Sequence, residues 1–193
     1  MTKKQKATPV PRKPRADAQR NRERILKVAK RIFTSRGADA SLDEIARRAG
    51  VGPGTLYRHF TTRTDLLAEV YRTEVERLGE MQKELSTRLA PVEALRAWLL
   101  LFVDYLATKQ ILWPAISQRE DSRSAVANST RGVTENAVRA LAERAVESGD
   151  LRAELEPMDL LRAVYGLSVG ETGSGWTERA RTMVDILIHG SRP

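Results

Sequence analysis

The chain has 193 residues, 41% of them apolar, and carries 33 Lys and Arg against 25 Asp and Glu. That length allows one ordinary domain or two small ones with a buried core, and the composition is that of a globular chain. The absence of cysteine excludes disulfides, thiolate zinc sites and cysteine nucleophiles, and two histidines, His59 and His189, are too few for a histidine-rich metal site.

The net charge of +8 conceals an asymmetry. Residues 1–64 hold 17 Lys and Arg against 5 Asp and Glu, whereas residues 65–193 hold 16 against 20. A basic first third on an acidic remainder is the pattern of a polyanion-binding module joined to a different kind of domain. The longest apolar run, Trp98 to Val103, falls short of the roughly 20 residues that cross a bilayer, and the first fifteen residues lack a signal peptide's apolar stretch. A soluble, cytoplasmic protein with no membrane partner is expected.

Residues 1–16 read as a disordered basic arm. Lys3, Lys4, Lys6, Arg12, Lys13 and Arg15 are interleaved with Pro9, Pro11 and Pro14, and nothing there is available to bury. Ile25, Val28, Ala29, Ile32 and Phe33 then recur at helical spacing, which predicts a helix from Asp17 to Ser35 closed by Gly37. Ser41 to Glu44 reads as a capping box opening a second helix, with Glu44 reaching back to the serine, and Gly50 breaks it. Pro53 suits a first helical position, and a short helix to Phe60 follows.

A longer helix is expected from Thr64 to Ser86. Ala94 to Ala107 is apolar nearly all round, interrupted only by Arg96 and Asp104, so it belongs inside a bundle. Pro114 ends or kinks the segment after it. One long helix is expected over Ser124 to Ser148, another from Pro157, a loop over Gly170 to Gly175, and a last helix over Trp176 to His189. No strand and no repeat is visible, and the count is about nine helices.

The chemistry-bearing segment is Ser41 to Phe60, two short helices about a glycine turn. Gly50 permits the sharp turn, Ala46 and Ala49 let the helices approach, and the second helix stands clear to enter a major groove. Thr55, Tyr57, Arg58 and His59 supply the donors and acceptors that phosphates and base edges require, while Leu56 and Phe60 fall on the inner face. GETGSG at Gly170 to Gly175 lacks the Lys-Ser/Thr and the preceding strand of a phosphate loop, and reads as an interhelical loop.

Arg24 to Leu67, RILKVAKRIFTSRGADASLDEIARRAGVGPGTLYRHFTTRTDLL, resembles the DNA-binding segment of TetR-family regulators, above all in T-L-Y-x-H-F followed by a basic residue and D-L-L. The match covers about the first third of the chain, and the rest agrees in length and helical pattern. The resemblance implies an all-α protein, with a three-helix helix-turn-helix domain followed by a larger helical regulatory and dimerisation domain. It implies DNA contacts from Thr55, Tyr57 and His59, with Ser41 and Arg63 on phosphates. Gly52-Pro53 departs from the polar residue that commonly opens the family's recognition helix, while Gly54 keeps room for close backbone approach.

The expected organisation is an arm over 1–16, a DNA-binding domain over 17–63, and a ligand-binding and dimerisation domain over 64–193. The expected partners are double-stranded operator DNA with an inverted repeat, a second copy of the chain, and a small apolar effector that releases a repressor. Met81, Trp98, Phe102, Tyr105 and Trp113 are the candidate pocket residues, although each aromatic is equally explained as core. Leu161, Val164, Met183, Val184 and Leu187 are the candidate dimer residues, on the last two helices. No cofactor or metal is expected. An enzyme is disfavoured because no nucleophile–base pair or metal cluster is suggested. The alternatives are a purely architectural DNA-binding protein, which gives no reason for a large helical domain containing aromatics, and a constitutive regulator with no ligand, whose second domain has a solid core.

Overall fold

The computed structural model describes residues 14–118, 120–130, 132–169 and 175–193, without the side chains of 14, 15 and 129. Residues 1–13 of the arm expected over 1–16, and the loop residues Gly170 to Ser174, lie outside the described residues, whereas residues 14–16 are helical. Nine helices are present among those described: α1 Pro14–Arg36, α2 Leu42–Arg48, α3 Pro53–His59, α4 Arg63–Arg88, α5 Pro91–Ser117, α6 Glu120–Thr130, α7 Val133–Glu147, α8 Pro157–Ser168 and α9 Gly175–Gly190. None of the described residues is in a strand.

The apolar spacing of α1 buries Ile25, Leu26, Val28, Ala29, Ile32 and Phe33 against α2, α3 and α4. α1 begins at Pro14, three residues earlier than the spacing predicts. Proline spacing argues for an open stretch there, but a proline at the first position of a helix sacrifices no intrahelical hydrogen bond. α4 opens with a reciprocal cap that the sequence reading missed: the Thr62 hydroxyl accepts from the Asp65 amide at 3.1 Å, and the Thr62 amide donates to the Asp65 carboxylate at 2.9 Å.

α5 is the axis of the rest of the molecule. It buries Leu95, Trp98, Leu99, Phe102, Val103, Leu106, Leu112 and Ile116, among others, between α4, α7, α8 and α9. It runs to Ser117, through Pro114 in its last turn, rather than breaking after Ala107. By length and composition α5 could cross a membrane, a property hidden when only its longest uninterrupted apolar run is counted. It is the core helix of a bundle. Two of its charged residues reach α9, Arg96 to Asp185 at 2.6 Å and Asp104 to Arg181.

The single helix expected over Ser124 to Ser148 is in fact two. Gly132 adopts φ +75°, a left-handed conformation that side-chain-bearing residues avoid, and it separates α6 from α7. The apolar spacing across the break suggests continuity, and the glycine is the signal that spacing overlooks. α7 packs on α4 and α5, α8 on α5 and α7, and α9 on α5 and α8.

Candidate nucleic-acid interface and effector cavity

Helix α2 begins at Ser41, whose hydroxyl accepts from the Glu44 amide at 3.4 Å. The second half of the expected capping box is absent. The Glu44 carboxylate instead takes Arg36 at 2.6 Å and Arg48 at 2.7 Å, because two guanidiniums outcompete one neutral amide for a carboxylate.

The end of α2 sets the angle of α3. The Gly50 amide donates to the Arg47 carbonyl at 3.2 Å and the Val51 amide to the Ala46 carbonyl at 3.0 Å, with Gly50 at φ +66°. This pair of bonds about a left-handed residue satisfies carbonyls that the helix end would otherwise leave open. α3 then starts from Gly52 without a side-chain cap, with Pro53 supplying the preset φ.

Leu56 and Phe60, 1% and 3% exposed, anchor α3 in the core beneath α1. Truncating either would cost about 2–5 kcal/mol. The opposite face is open: Tyr57 is 48% exposed, and a Cβ added at Gly54 would meet nothing within 4 Å. No contact among the described residues therefore requires a glycine at position 54. Arg58 lies back along its own helix, donating from Nε to the Gly54 carbonyl at 3.1 Å and from a terminal nitrogen to the Thr55 hydroxyl at 3.1 Å. Thr55 and Arg58 thus form one preset polar pair.

Two other expected contacts sit differently. Arg63 uses one terminal nitrogen to bridge the carbonyls of Ala38 at 3.0 Å and Ala40 at 2.5 Å, tying the start of α4 to the α1–α2 turn. His59 is half-buried beside Phe60 and lines a cleft of about 240 Å³ shared with Arg22, Asp65, Glu69 and Arg72, and with Ser122, Ala125 and Val126 of α6.

The helices that carry this face are fastened to α4 by charge. Glu69, its side chain 14% exposed, accepts from Arg22 of α1 and from Arg72 at 2.5 Å. The Arg22 guanidinium also stands 5.6 Å from the centre of the Phe60 ring. Lys30 of α1 pairs with Glu74 of α4. Sequence spacing gave no signal for the two pairs that join α1 to α4, whose partners stand 47 and 44 residues apart.

Within the bundle the candidate aromatics are mostly stacked on one another. Trp98 is wholly buried, donates its indole N–H to the Leu78 carbonyl at 2.9 Å, and stacks on Phe102 at 5.6 Å. Phe102 stacks on Tyr105, whose hydroxyl meets that of Tyr71 at 2.5 Å. Burial, with the neighbouring Tyr71, pushes the Tyr105 phenol well above its ordinary range, so it stays protonated. Tyr71 in turn packs on Trp113 at 5.6 Å.

Two of the five candidates, Phe102 and Tyr105, border a cavity of about 180 Å³ completed by Leu106, Lys109, Thr134, Leu161, Arg162 and Tyr165. Trp98 and Trp113 do not line it. Met81 borders a separate cleft of about 80 Å³ with Lys30, Glu74, Arg77, Leu78, Leu101, Asp104 and Tyr105.

The candidate dimer residues need correction. Val164 and Val184 are 0% exposed and Leu161 is 9% exposed within the single chain, because the α8 and α9 stripes that look surplus in sequence face the core. The apolar side chains left exposed on those helices or just beyond them are Tyr165, Val169 and Ile186, and Met183 and Leu187 are half-buried.

Residues 25–70 match the family of bacterial regulatory proteins designated tetR, and residues 90–193 match the C-terminal domain of SbtR-like transcriptional regulators. The chain is 34% identical over 102 residues to the HTH-type transcriptional regulator AcrR of Shigella flexneri, covering 51% of this chain and 47% of that protein. It is 40% identical over 63 residues to an HTH-type transcriptional regulator of Staphylococcus aureus strain USA300, 32% of this chain and 34% of the other. The matches thus span about half, or less, of these curated relatives. The crystal structure of the TetR transcriptional regulator SCO0520 from Streptomyces coelicolor is similar over 89% of this chain and 98% of that one, at 35% identity and a TM-score of 0.78. A TetR regulatory protein from Mycobacterium vanbaalenii is similar over 93% and 99%, at 31% identity and a TM-score of 0.69.

Proposed function

The chain belongs to the TetR family of bacterial transcriptional regulators, and from that premise we propose that it is a homodimeric repressor which reads an inverted-repeat operator and leaves it when a small molecule enters the bundle. Residues 17–63 form the reading head and residues 64–193 the sensing and dimerising body. The observation that carries this reading is the outer face of α3, where Tyr57 stands exposed beside the Thr55–Arg58 pair and Gly54 offers unobstructed backbone, on a helix anchored by Leu56 and Phe60.

In this reading Thr55 and Arg58 face base edges, Arg58 leaving its own helix to do so, and Tyr57 takes a phosphate. Ser41, at the start of α2, faces the backbone of the duplex. Arg63 contributes by holding the α1–α2 turn against the start of α4 and His59 by packing against the cleft, each with a secondary reach to phosphate. The dimer forms through α8 and α9, with Tyr165, Val169 and Ile186 at its centre and Met183 and Leu187 at its edge. A two-fold pair of heads then requires two half-sites in inverted orientation.

The effector site is the cavity at Phe102 and Tyr105. α5 and α7, which carry part of its wall, pack against α4, and α4 holds α1 through Glu69 and Glu74. A ligand that prefers a displaced α4 would shift the population toward a head spacing that no longer fits the operator.

The test is selection of bound fragments from genomic DNA with the full chain, followed by titration of the selected and random duplexes at two salt concentrations. An enriched pair of inverted half-sites, bound at least roughly a thousandfold more tightly than random DNA, is expected. Equal affinity for both duplexes would refute sequence-specific regulation.

A further inference from the structure

The cavity at Phe102 has an apolar floor and an electropositive rim. No carboxylate is among its lining residues, whereas Lys109 and Arg162 both are. Arg162 is engaged by Asp159 at 3.0 Å, on the solvent side. Lys109 is different: half-buried, with no hydrogen bond or ion pair to any described residue, its ammonium rests between the rings of Tyr165 at 5.0 Å and Trp113 at 5.8 Å. Burial pulls its basicity below the ordinary lysine range, the sign of a cation that lacks a counter-charge. Two ring faces hold a cation in place without neutralising it.

We propose that this cavity takes a small monocarboxylate built on a single ring, its apolar body against Phe102, Leu106 and Leu161 and its carboxylate on the Lys109 ammonium. Thr134, also on the lining, offers a second donor. The Tyr105 hydroxyl already shares a hydrogen bond with Tyr71 and Arg162 is paired with Asp159, so the charge falls to the Lys109 end. The volume is on the scale of one ring: a closed apolar cavity of about 150 Å³ accepts benzene, and about 180 Å³ holds one substituted ring. This inference rests on the reading of the cavity as the effector site, and it replaces the purely apolar ligand expected from sequence with an amphipathic anion.

The experiment is calorimetric titration of the full chain with benzoate, benzamide and phenyltrimethylammonium, which share a ring and differ in charge. Benzoate should bind at least roughly tenfold more tightly than benzamide, within the range a charge-assisted hydrogen bond gives, and the cation should not bind. Lys109→Met should erase the preference for benzoate over benzamide, and Lys109→Arg should retain it. Thr134→Phe, which fills the cavity, should exclude all three probes.

Benzamide binding as tightly as benzoate would overturn the charge assignment and leave the cavity as an apolar effector site. A preference that survives Lys109→Met in a protein of unchanged helicity, or one that Lys109→Arg abolishes, would also overturn it. Saturable binding by none of the probes would sink the inference and the cavity reading together.

Discussion

Glu69 is one of two carboxylates of α4 that pair with basic residues of α1. Its carboxylate serves Arg22 of α1 and Arg72 of α4, and Arg22 also covers the Phe60 ring at the end of α3. The Glu69 side chain is 14% exposed and both arginines are 33% exposed, which places the Arg22–Glu69 pair between two regimes. Exposed pairs contribute about 0.2–1 kcal/mol, and breaking a fully buried pair costs about 3–5 kcal/mol. A coupling of about 1–2 kcal/mol follows for this geometry. The measurement is a double-mutant cycle of Arg22→Met and Glu69→Gln by urea unfolding at fixed protein concentration, since a dimer's stability depends on concentration. Each single variant should lower the melting temperature by about 3–6 °C, the scale for a chain of this size. Glu69→Gln should also blunt the response of DNA binding to effector. A coupling below about 0.3 kcal/mol, the level at which independent sites add, would refute the claim that this pair joins the two parts.

Arg58→Ala should cost about 1–3 kcal/mol and relax preference at one operator position, while Tyr57→Phe should weaken all duplexes equally; competition binding against single-base variants separates the two effects. Deleting residues 1–13, which contain Lys3, Lys4, Lys6, Arg12 and Lys13, should weaken binding to specific and random DNA alike and flatten the salt slope by about 0.9 for each phosphate no longer neutralised. Ile186→Asp should give folded monomers by sedimentation, because Ile186 is 55% exposed, whereas Val184→Asp should unfold the chain, because Val184 is fully buried and would carry an unpaired charge into the core.

The parts of the fold legible in the sequence were those written in local code. The spacing of Ile25 to Phe33, the serine before Leu42, the proline at 53 and the glycine at 50 each act within one or two turns, so periodicity and cap chemistry suffice to find them. The break at Gly132 was missed because Val126, Val133 and Ala137 keep helical register across it, and register alone does not reveal a left-handed residue between two helices. The buried faces of α8 and α9 were misjudged for a related reason: an apolar stripe looks the same whether it meets its own core or a second chain. Val164 and Val184 meet the core, whereas Tyr165, four residues after Leu161 and so in the same register, and Ile186 are exposed. Lys109 drew no notice in the sequence because what distinguishes it is the lack of a counter-charge among the described residues, and only the three-dimensional neighbourhood reports that.

The two ion pairs between α5 and α9 have a consequence for assembly that their energy does not suggest. Arg96 with Asp185 and Asp104 with Arg181 are each about half in solvent, too exposed to add more than a few tenths of a kcal/mol apiece. Their signs nevertheless run in opposite order along the two helices. Laying α9 down in the reverse direction would bring Arg96 toward Arg181 and Asp104 toward Asp185, setting like charges against each other on an otherwise apolar seam that would accept either direction. Polarity is thereby encoded where hydrophobicity is indifferent. The same code would be satisfied by α9 from a second copy, so these four residues specify the direction of the helix without specifying which chain must provide it.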